Sequence, residues 1–161
     1  MKKIGTLLLA AVILLGLAGC ASTEPDPERE GFSFTYNGVQ IMPGADAAPV
    51  IVALGGPKSY TEEPSCAFEG VDKTYYYGSF YLSTCPMDGK DCIYSLWFVD
   101  DSIATGEGIR IGSSQTEVEA ACGAGCFDGN NAYIQKRENS RLTVILTDGA
   151  VSSVRYEWII E

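Results

Sequence analysis

GADAAPVIVALG, Gly44 to Gly55, and GSSQTEVEAACG, Gly112 to Gly123, align without a gap at a constant offset of 68. Gly44 falls on Gly112, Val50 on Val118, Ala53 on Ala121 and Gly55 on Gly123, and Ile41 falls on Ile109 just ahead of them. Each stretch reads as a short helix with both stops written in. Asp46 and Ser114 stand at equivalent N-cap positions, and Ser114-Gln-Thr-Glu117 has the spacing of a capping box, in which hydroxyl and carboxylate satisfy backbone N–H groups that have no intrahelical partner. Pro49 falls in the first turn, where a missing N–H costs little. Gly55 and Gly123 suit the positive φ just past a helix end. Helices of about two turns do not persist alone, so each must lie on something.

Each helix is succeeded by strand-like sequence. Leu142, Val144 and Leu146 alternate with polar or smaller residues, Asp148-Gly149 makes a turn, and Val154, Tyr156, Trp158 and Ile160 alternate again. The earlier half answers with Phe80, Leu82 and Thr84, a turn at Asp88-Gly89, then Leu96 and Phe98, which precede Val154 and Tyr156 by 58. Candidate third strands are Cys66 to Gly70 and Ala132 to Lys136. Phe32, Phe34 and Tyr36 alternate before Asn37-Gly38, a strong hairpin signal. The expectation is an α+β fold of two tandem repeats, residues 31–105 and 106–161, each a short helix packed on an antiparallel meander.

The amino terminus has a different grammar. Met1-Lys2-Lys3 is a positive n-region and Ile4 to Gly19 an apolar run that, as a helix, reaches only about 24 Å, short of a bilayer core of ~30 Å. Residues 1–19 read as an export signal. Leu17-Ala18-Gly19-Cys20 matches a lipobox, with cleavage between Gly19 and Cys20 and diacylglycerol, bearing fatty chains such as palmitate, on the Cys20 thiol. Two acyl chains hold a protein stably where one does not. Residues 20–30, rich in Pro and acid, read as a disordered tether. The expected location is the extracytoplasmic face of a bacterial membrane, held by the lipid anchor.

The chain has 11 basic and 21 acidic residues, a formal charge of −10, and no histidine. Loss of Lys2 and Lys3 with the signal takes the basic residues from 11 to 9 against 21 acidic ones, a formal charge of −12. Such a polyanion is repelled by nucleic acid, so no nucleic-acid partner is expected. Lack of histidine excludes Ser-His-Asp and Cys-His catalysis and histidine-bearing metal sites. The carboxylate pairs Glu62-Glu63, Asp100-Asp101 and Glu117/Glu119 read as solvated surface, and the chain is expected to be no enzyme and to carry no cofactor.

Five cysteines remain after Cys20: Cys66, Cys85, Cys92, Cys122 and Cys126. Outside the cytoplasm thiols pair, and spacing favours Cys85 with Cys92 across the hairpin turn and Cys122 with Cys126 across two glycines, leaving Cys66 over. Chain entropy makes these loops worth about 2–2.5 kcal/mol each. A four-thiolate zinc site is the competing reading, but C-x6-C and C-x3-C lack the tight pair of a zinc ribbon, and no metal is expected. Asp128-Gly-Asn-Asn131 and Asp100-Asp101-Ser102 offer oxygen ligands without a complete calcium-loop pattern. Aromatics concentrate at Tyr75-Tyr76-Tyr77, Tyr81, Tyr94, Trp97 and Phe98. Alternate members of a strand face opposite sides, so one set lines the core and the other, Tyr76, Tyr81, Tyr94 and Trp97, can bind a partner.

Ser65-Cys66-Ala67-Phe68-Glu69-Gly70, Asp72-Lys73, Tyr75, Asp100-Asp101-Ser102, Thr105, Glu107-Gly108-Ile109 and Ile111-Gly112-Ser113 together resemble uncharacterised bacterial lipoproteins, over most of the mature chain. That family implies no activity. The helix-and-meander pattern is similar, at fold level only, to β-lactamase-inhibitor proteins and small lipoproteins of outer-membrane assembly, which implies protein binding without catalysis. The expected function is therefore a noncatalytic module that binds a protein partner at the cell envelope. The alternatives are an inhibitor that inserts an acidic loop, Glu69 to Asp72 or Asp88 to Asp91, into a hydrolase cleft, and a carboxylate-based glycan hydrolase.

Overall fold

The computed structural model describes residues 31–160; the signal, the lipobox with Cys20 and the tether lie outside the described residues. The chain opens with a small hairpin, β1 (Phe34–Tyr36) and β2 (Val39–Ile41), and continues into α1 (Ala47–Leu54). Four strands come next: β3 (Ser59–Pro64), β4 (Val71–Tyr76), β5 (Phe80–Met87) and β6 (Lys90–Phe98). After α2 (Gln115–Cys122) come β7 (Ala132–Arg137), β8 (Ser140–Thr147) and β9 (Ala150–Trp158). The fold is mostly β, with one antiparallel seven-stranded sheet in the order β3-β4-β5-β6-β9-β8-β7 and the β1-β2 pair apart from it.

The helix stops work as the residues dictate. The Asp46 carboxylate accepts the Ala48 N–H at 3.0 Å, and the Ser114 capping box is complete, with Glu117 Oε2 accepting the Ser114 N–H at 2.7 Å and Ser114 Oγ accepting the Glu117 N–H. The Ser114 N–H and the Ser114 hydroxyl, both donating to the Glu117 carboxylate, hold it below its ordinary range. Gly55 and Gly123 end the helices at φ 77° and 100°, with extended ψ. At Asn37-Gly38, Asp88-Gly89 and Asp148-Gly149 both turn residues have positive φ, the geometry a two-residue hairpin needs to match strand twist.

One face of the sheet carries the core. Phe80, Leu82, Leu96 and Phe98 meet Leu142, Val144, Val154 and Tyr156, covered by Phe34 and Ile41 of the small hairpin, Ala47 of α1 and Val118 of α2. Val118 is fully buried, which contributes about 1.5–3 kcal/mol and fixes α2 to the sheet. Both helix entries are also tied to a strand edge. Gly44 donates to the Ile93 carbonyl (2.7 Å) and Ile93 to Ala45 (2.8 Å); Gly112 donates to Val151 (2.8 Å) and Val151 to Ser113 (2.8 Å). The two hairpins carry bulges, Tyr94 being skipped between Ile93 and Ser95, and Ser152 between Val151 and Ser153.

Two strand assignments change. Cys66 to Gly70 is a bend, and the strand begins after it at Val71. The Ser65 hydroxyl accepts the N–H groups of Ala67 and Phe68, a local turn that outcompetes strand pairing, and Gly70 sits at φ 128°. Ser59–Pro64 forms an edge strand that alternation does not reveal, because every residue in it is exposed; backbone bonds to β4 and the Tyr60 ring against Tyr75 (5.0 Å) hold it, and Pro64 is tolerated at its end.

Candidate functional site

The face of the sheet opposite the core is open, and side-chain alternation decides what stands on it. Cross-strand pairing runs Ser59, Tyr76, Tyr81, Trp97, Arg155, Thr143, Ile134 straight across all seven strands. The rings of Tyr76 and Tyr81 stack at 4.7 Å, Tyr81 and Trp97 lie 6.4 Å apart, and the Arg155 guanidinium lies 5.5 Å from the Trp97 ring centre. Tyr81 is 37% and Trp97 47% exposed, high for residues at the middle of a sheet.

Arg155 also donates to Glu157 Oε1 (3.1 Å), and Arg141 donates to Glu157 Oε2 through Nη2 (2.7 Å) and Nε (3.1 Å). Glu157 is buried, and two guanidinium groups compensate its charge. Beside this cluster, Trp97, Ile134, Thr143 and Ile145 line a hollow of ≈ 390 Å³.

Tyr94 is exposed but does not join the row. Its bulge position turns it toward a groove of ≈ 720 Å³ on the other side of Arg141, where it faces Cys66, Phe68 and the end of the chain at Trp158 to Ile160. Asp72 and Thr84 also line this groove, and neither Asp72 Oδ1 nor Thr84 Oγ1, both buried, has a hydrogen-bond partner among the described residues. The Ser-Cys-Ala-Phe segment thus forms one wall. Phe68 and the residues after it to Val71 meet the β5-β6 turn, Pro86 to Asp91, around a cleft of ≈ 650 Å³. Lys73 on β4 pairs with Asp91 beneath it.

Of the four aromatic residues expected on one surface, Tyr76, Tyr81 and Trp97 come together and Tyr94 stands apart on the same strand as Trp97. Arg155, Arg141, Phe68 and Trp158 were not anticipated. The offset of 58 that relates Leu96 to Val154 also relates Trp97 to Arg155, a signal that could have found the pair at the centre of the row.

Among the described residues no disulfide is present, and the five cysteines are free thiols. Cys85 and Cys92 are nonetheless Cα partners across the hairpin. Burial, then the neighbouring Cys92 and Asp72, push the Cys85 thiol up to about 11, and burial raises Cys122 and Cys126. Protonated thiols of this kind are slow to exchange. No group of three or more potential metal-ligating side chains forms among the described residues.

The acidic motifs are used locally. Asp128 accepts from Asn130 N–H (2.8 Å) and Ala132 N–H (3.0 Å), Asp100 accepts from Ser102, and both carboxyls are held below their ordinary range by those bonds. Tyr60 donates to Glu62 (2.7 Å), and Gln115 donates to Glu119 (2.8 Å). No helix among the described residues is long and apolar enough to cross a membrane. No protein family, no curated protein and no solved structure matches this chain.

Proposed function

We propose that the chain is an envelope lipoprotein, held by lipid on Cys20 at the outer face of a bacterial membrane, that binds a protein partner through the open face of its sheet without catalysis. The observation that carries this reading is the row Tyr76, Tyr81, Trp97 and Arg155 across the sheet centre. Tyrosine, tryptophan and arginine are the side chains that dominate binding hot spots, and a central position surrounded by polar groups is where such residues act. The tandem origin of the two halves belongs to the same reading. It is supported by the paired bonds Gly44–Ile93 and Gly112–Val151 and by bulges at Tyr94 and Ser152, which keep the offsets of 68 and 58.

The test is photo-crosslinking in cells from a benzophenone side chain at Ile145, beside the row, in the full-length protein. A discrete adduct, reduced at least tenfold by Trp97→Ala or Tyr81→Ala, supports the reading; an adduct unchanged by both refutes it. Intact mass of the detergent-extracted protein checks the anchor, since a diacylated Cys20 lacking residues 1–19 is required.

A second reading, inhibition of a hydrolase, has one observation in its favour. Glu69 to Val71 of one acidic segment and Asp88 to Asp91 of the other line one cleft. Loss of cell-wall hydrolase activity on adding the protein, restored by Asp88→Asn, would select it.

A further inference from the structure

The hollow of ≈ 390 Å³ beside Trp97 joins two kinds of surface. Trp97, Ile134 and Ile145, all exposed, form its apolar side, and Arg141 and Arg155 its charged side. Register puts all of them on the open face: Trp97, Arg155, Thr143 and Ile134 lie in one cross-strand row, and Arg141 and Ile145 stand two residues either side of Thr143. Two guanidinium groups meet one buried carboxylate. Glu157 balances one of the two charges, so the hollow keeps an excess positive charge, and exposed Lys136, the Cα partner of Arg141, adds another beside it. In a chain of formal charge −10 this is a local reversal of sign. Arg141 gives Glu157 two N–H groups and Arg155 gives it one, fewer than a guanidinium carries. With side chains 39% and 44% exposed, both keep donors within reach of a ligand.

Guanidinium groups in excess over carboxylate attract an anion, and their planar fork matches a carboxylate. The apolar side of the hollow asks for a large apolar side chain next to that anion. The chain's own tether offers Glu24, Asp26, Glu28 and Glu30 but no large apolar side chain, so it meets only half of the requirement. In an extended segment, residues two apart point the same way and lie about 7 Å from each other, which suits a carboxylate and an apolar group entering one hollow side by side. The anionic chain repels acidic segments over most of its surface, so the positive patch also selects where such a segment docks. Resting on the protein-binding reading of this face, we infer that the hollow receives an acidic and apolar segment of the partner. Its side-chain carboxylate accepts from Arg155 and Arg141, and an apolar side chain two residues away lies against Trp97, Ile134 and Ile145.

The probe is the blocked tripeptide acetyl-leucyl-alanyl-glutamyl amide, titrated into the full-length protein in detergent micelles and followed by amide chemical shifts. Saturable shifts at Trp97, Ile134, Thr143 and Ile145 are expected, with binding that weakens as salt rises. The glutaminyl analogue, which keeps the shape and loses the charge, should bind at least tenfold more weakly, and the analogue with alanine for leucine severalfold more weakly. Arg155→Gln, which leaves Arg141 and Glu157 as a balanced pair, should weaken the probe at least tenfold. Lys136→Glu, a change at an exposed position, should weaken it severalfold and serves as the second variant should Arg155→Gln disturb the sheet. Equal binding of the glutaminyl analogue, or shifts centred elsewhere on the surface, overturns the assignment. Equally tight binding of acetyl-leucine overturns it in favour of a chain-terminal carboxylate, and tighter probe binding once Glu24, Asp26, Glu28 and Glu30 are replaced by their amides overturns it in favour of the chain's own tether. Failure here leaves the Trp97-dependent crosslink standing, whereas saturable probe binding without any crosslink keeps the carboxylate site and removes the proposed protein partner.

Discussion

Replacing Thr84 with valine should make this protein more stable. Thr84 is 1% exposed and its Oγ1 has no hydrogen-bond partner among the described residues. Removing a buried hydroxyl that bonds to nothing relieves its desolvation penalty of about 1–3 kcal/mol, while valine keeps the volume and the β-branched shape that strand β5 prefers. For a body of roughly 130 residues, 1 kcal/mol corresponds to about 4 °C in Tm, so the expected rise is about 4–12 °C. The assay is thermal unfolding monitored by circular dichroism, with urea unfolding to show that the m-value is unchanged. Ser140→Ala is the control of opposite sign. Ser140 is fully buried, accepts the Phe32 N–H at 2.7 Å and donates to the Arg137 carbonyl at 2.9 Å, so its loss orphans two groups and should cost about 1–3 kcal/mol. A Thr84→Val protein that melts at or below the wild-type temperature refutes the claim that the hydroxyl is unsatisfied.

A double-mutant cycle of Trp97→Ala with Arg155→Ala should give a coupling of about 0.5–1 kcal/mol, read from urea unfolding; coupling within error of zero means that the guanidinium does not sit on the ring. Ser114→Ala should cost about 1 kcal/mol at neutral pH. Since the folded Glu117 carboxyl is held below its ordinary value of 4.5, the box contributes fully above that value and its contribution is lost as pH falls through the depressed one, so the penalty for Ser114→Ala should shrink in acid; a constant penalty contradicts the pairing. Gly44→Ala should destabilise more than Gly38→Ala. Both have φ near +80°, but a methyl on Gly44 meets the Trp158 ring at 3.0 Å while one on Gly38 meets open space, so equal melting temperatures would disprove that contact. Under native alkylation at pH 8, exposed Cys66 should react first and Cys85, pushed up to about 11, far more slowly, as peptide mass spectrometry of the labelled chain would report.

Much of the secondary structure is written locally. Ser114-Gln-Thr-Glu117 defines a helix start through bonds among neighbours, and Asp148-Gly149 between alternating apolar runs defines a hairpin, because turn chemistry and side-chain period act within a few residues. The Cys66 to Gly70 segment misled for the same kind of reason: its composition is compatible with a strand, but the Ser65 hydroxyl captures the backbone first. Edge strand β3 left no pattern because it buries neither face.

Residue type and short-range periodicity are enough to specify the helix caps, the hairpin turns, the inward set Phe80, Leu82, Leu96, Phe98, Leu142, Val144, Val154 and Tyr156, and the acidic, histidine-free chemistry. They are not enough to specify that β6 pairs with β9, and with it that Trp97 meets Arg155 and that Asp72, Tyr94 and Trp158 surround one groove; those belong to the folded chain. Alternation tells which residues share a face of their own strand, but which strands become neighbours, and in what register, is settled by burying one common core, and no window of sequence contains both partners of that choice.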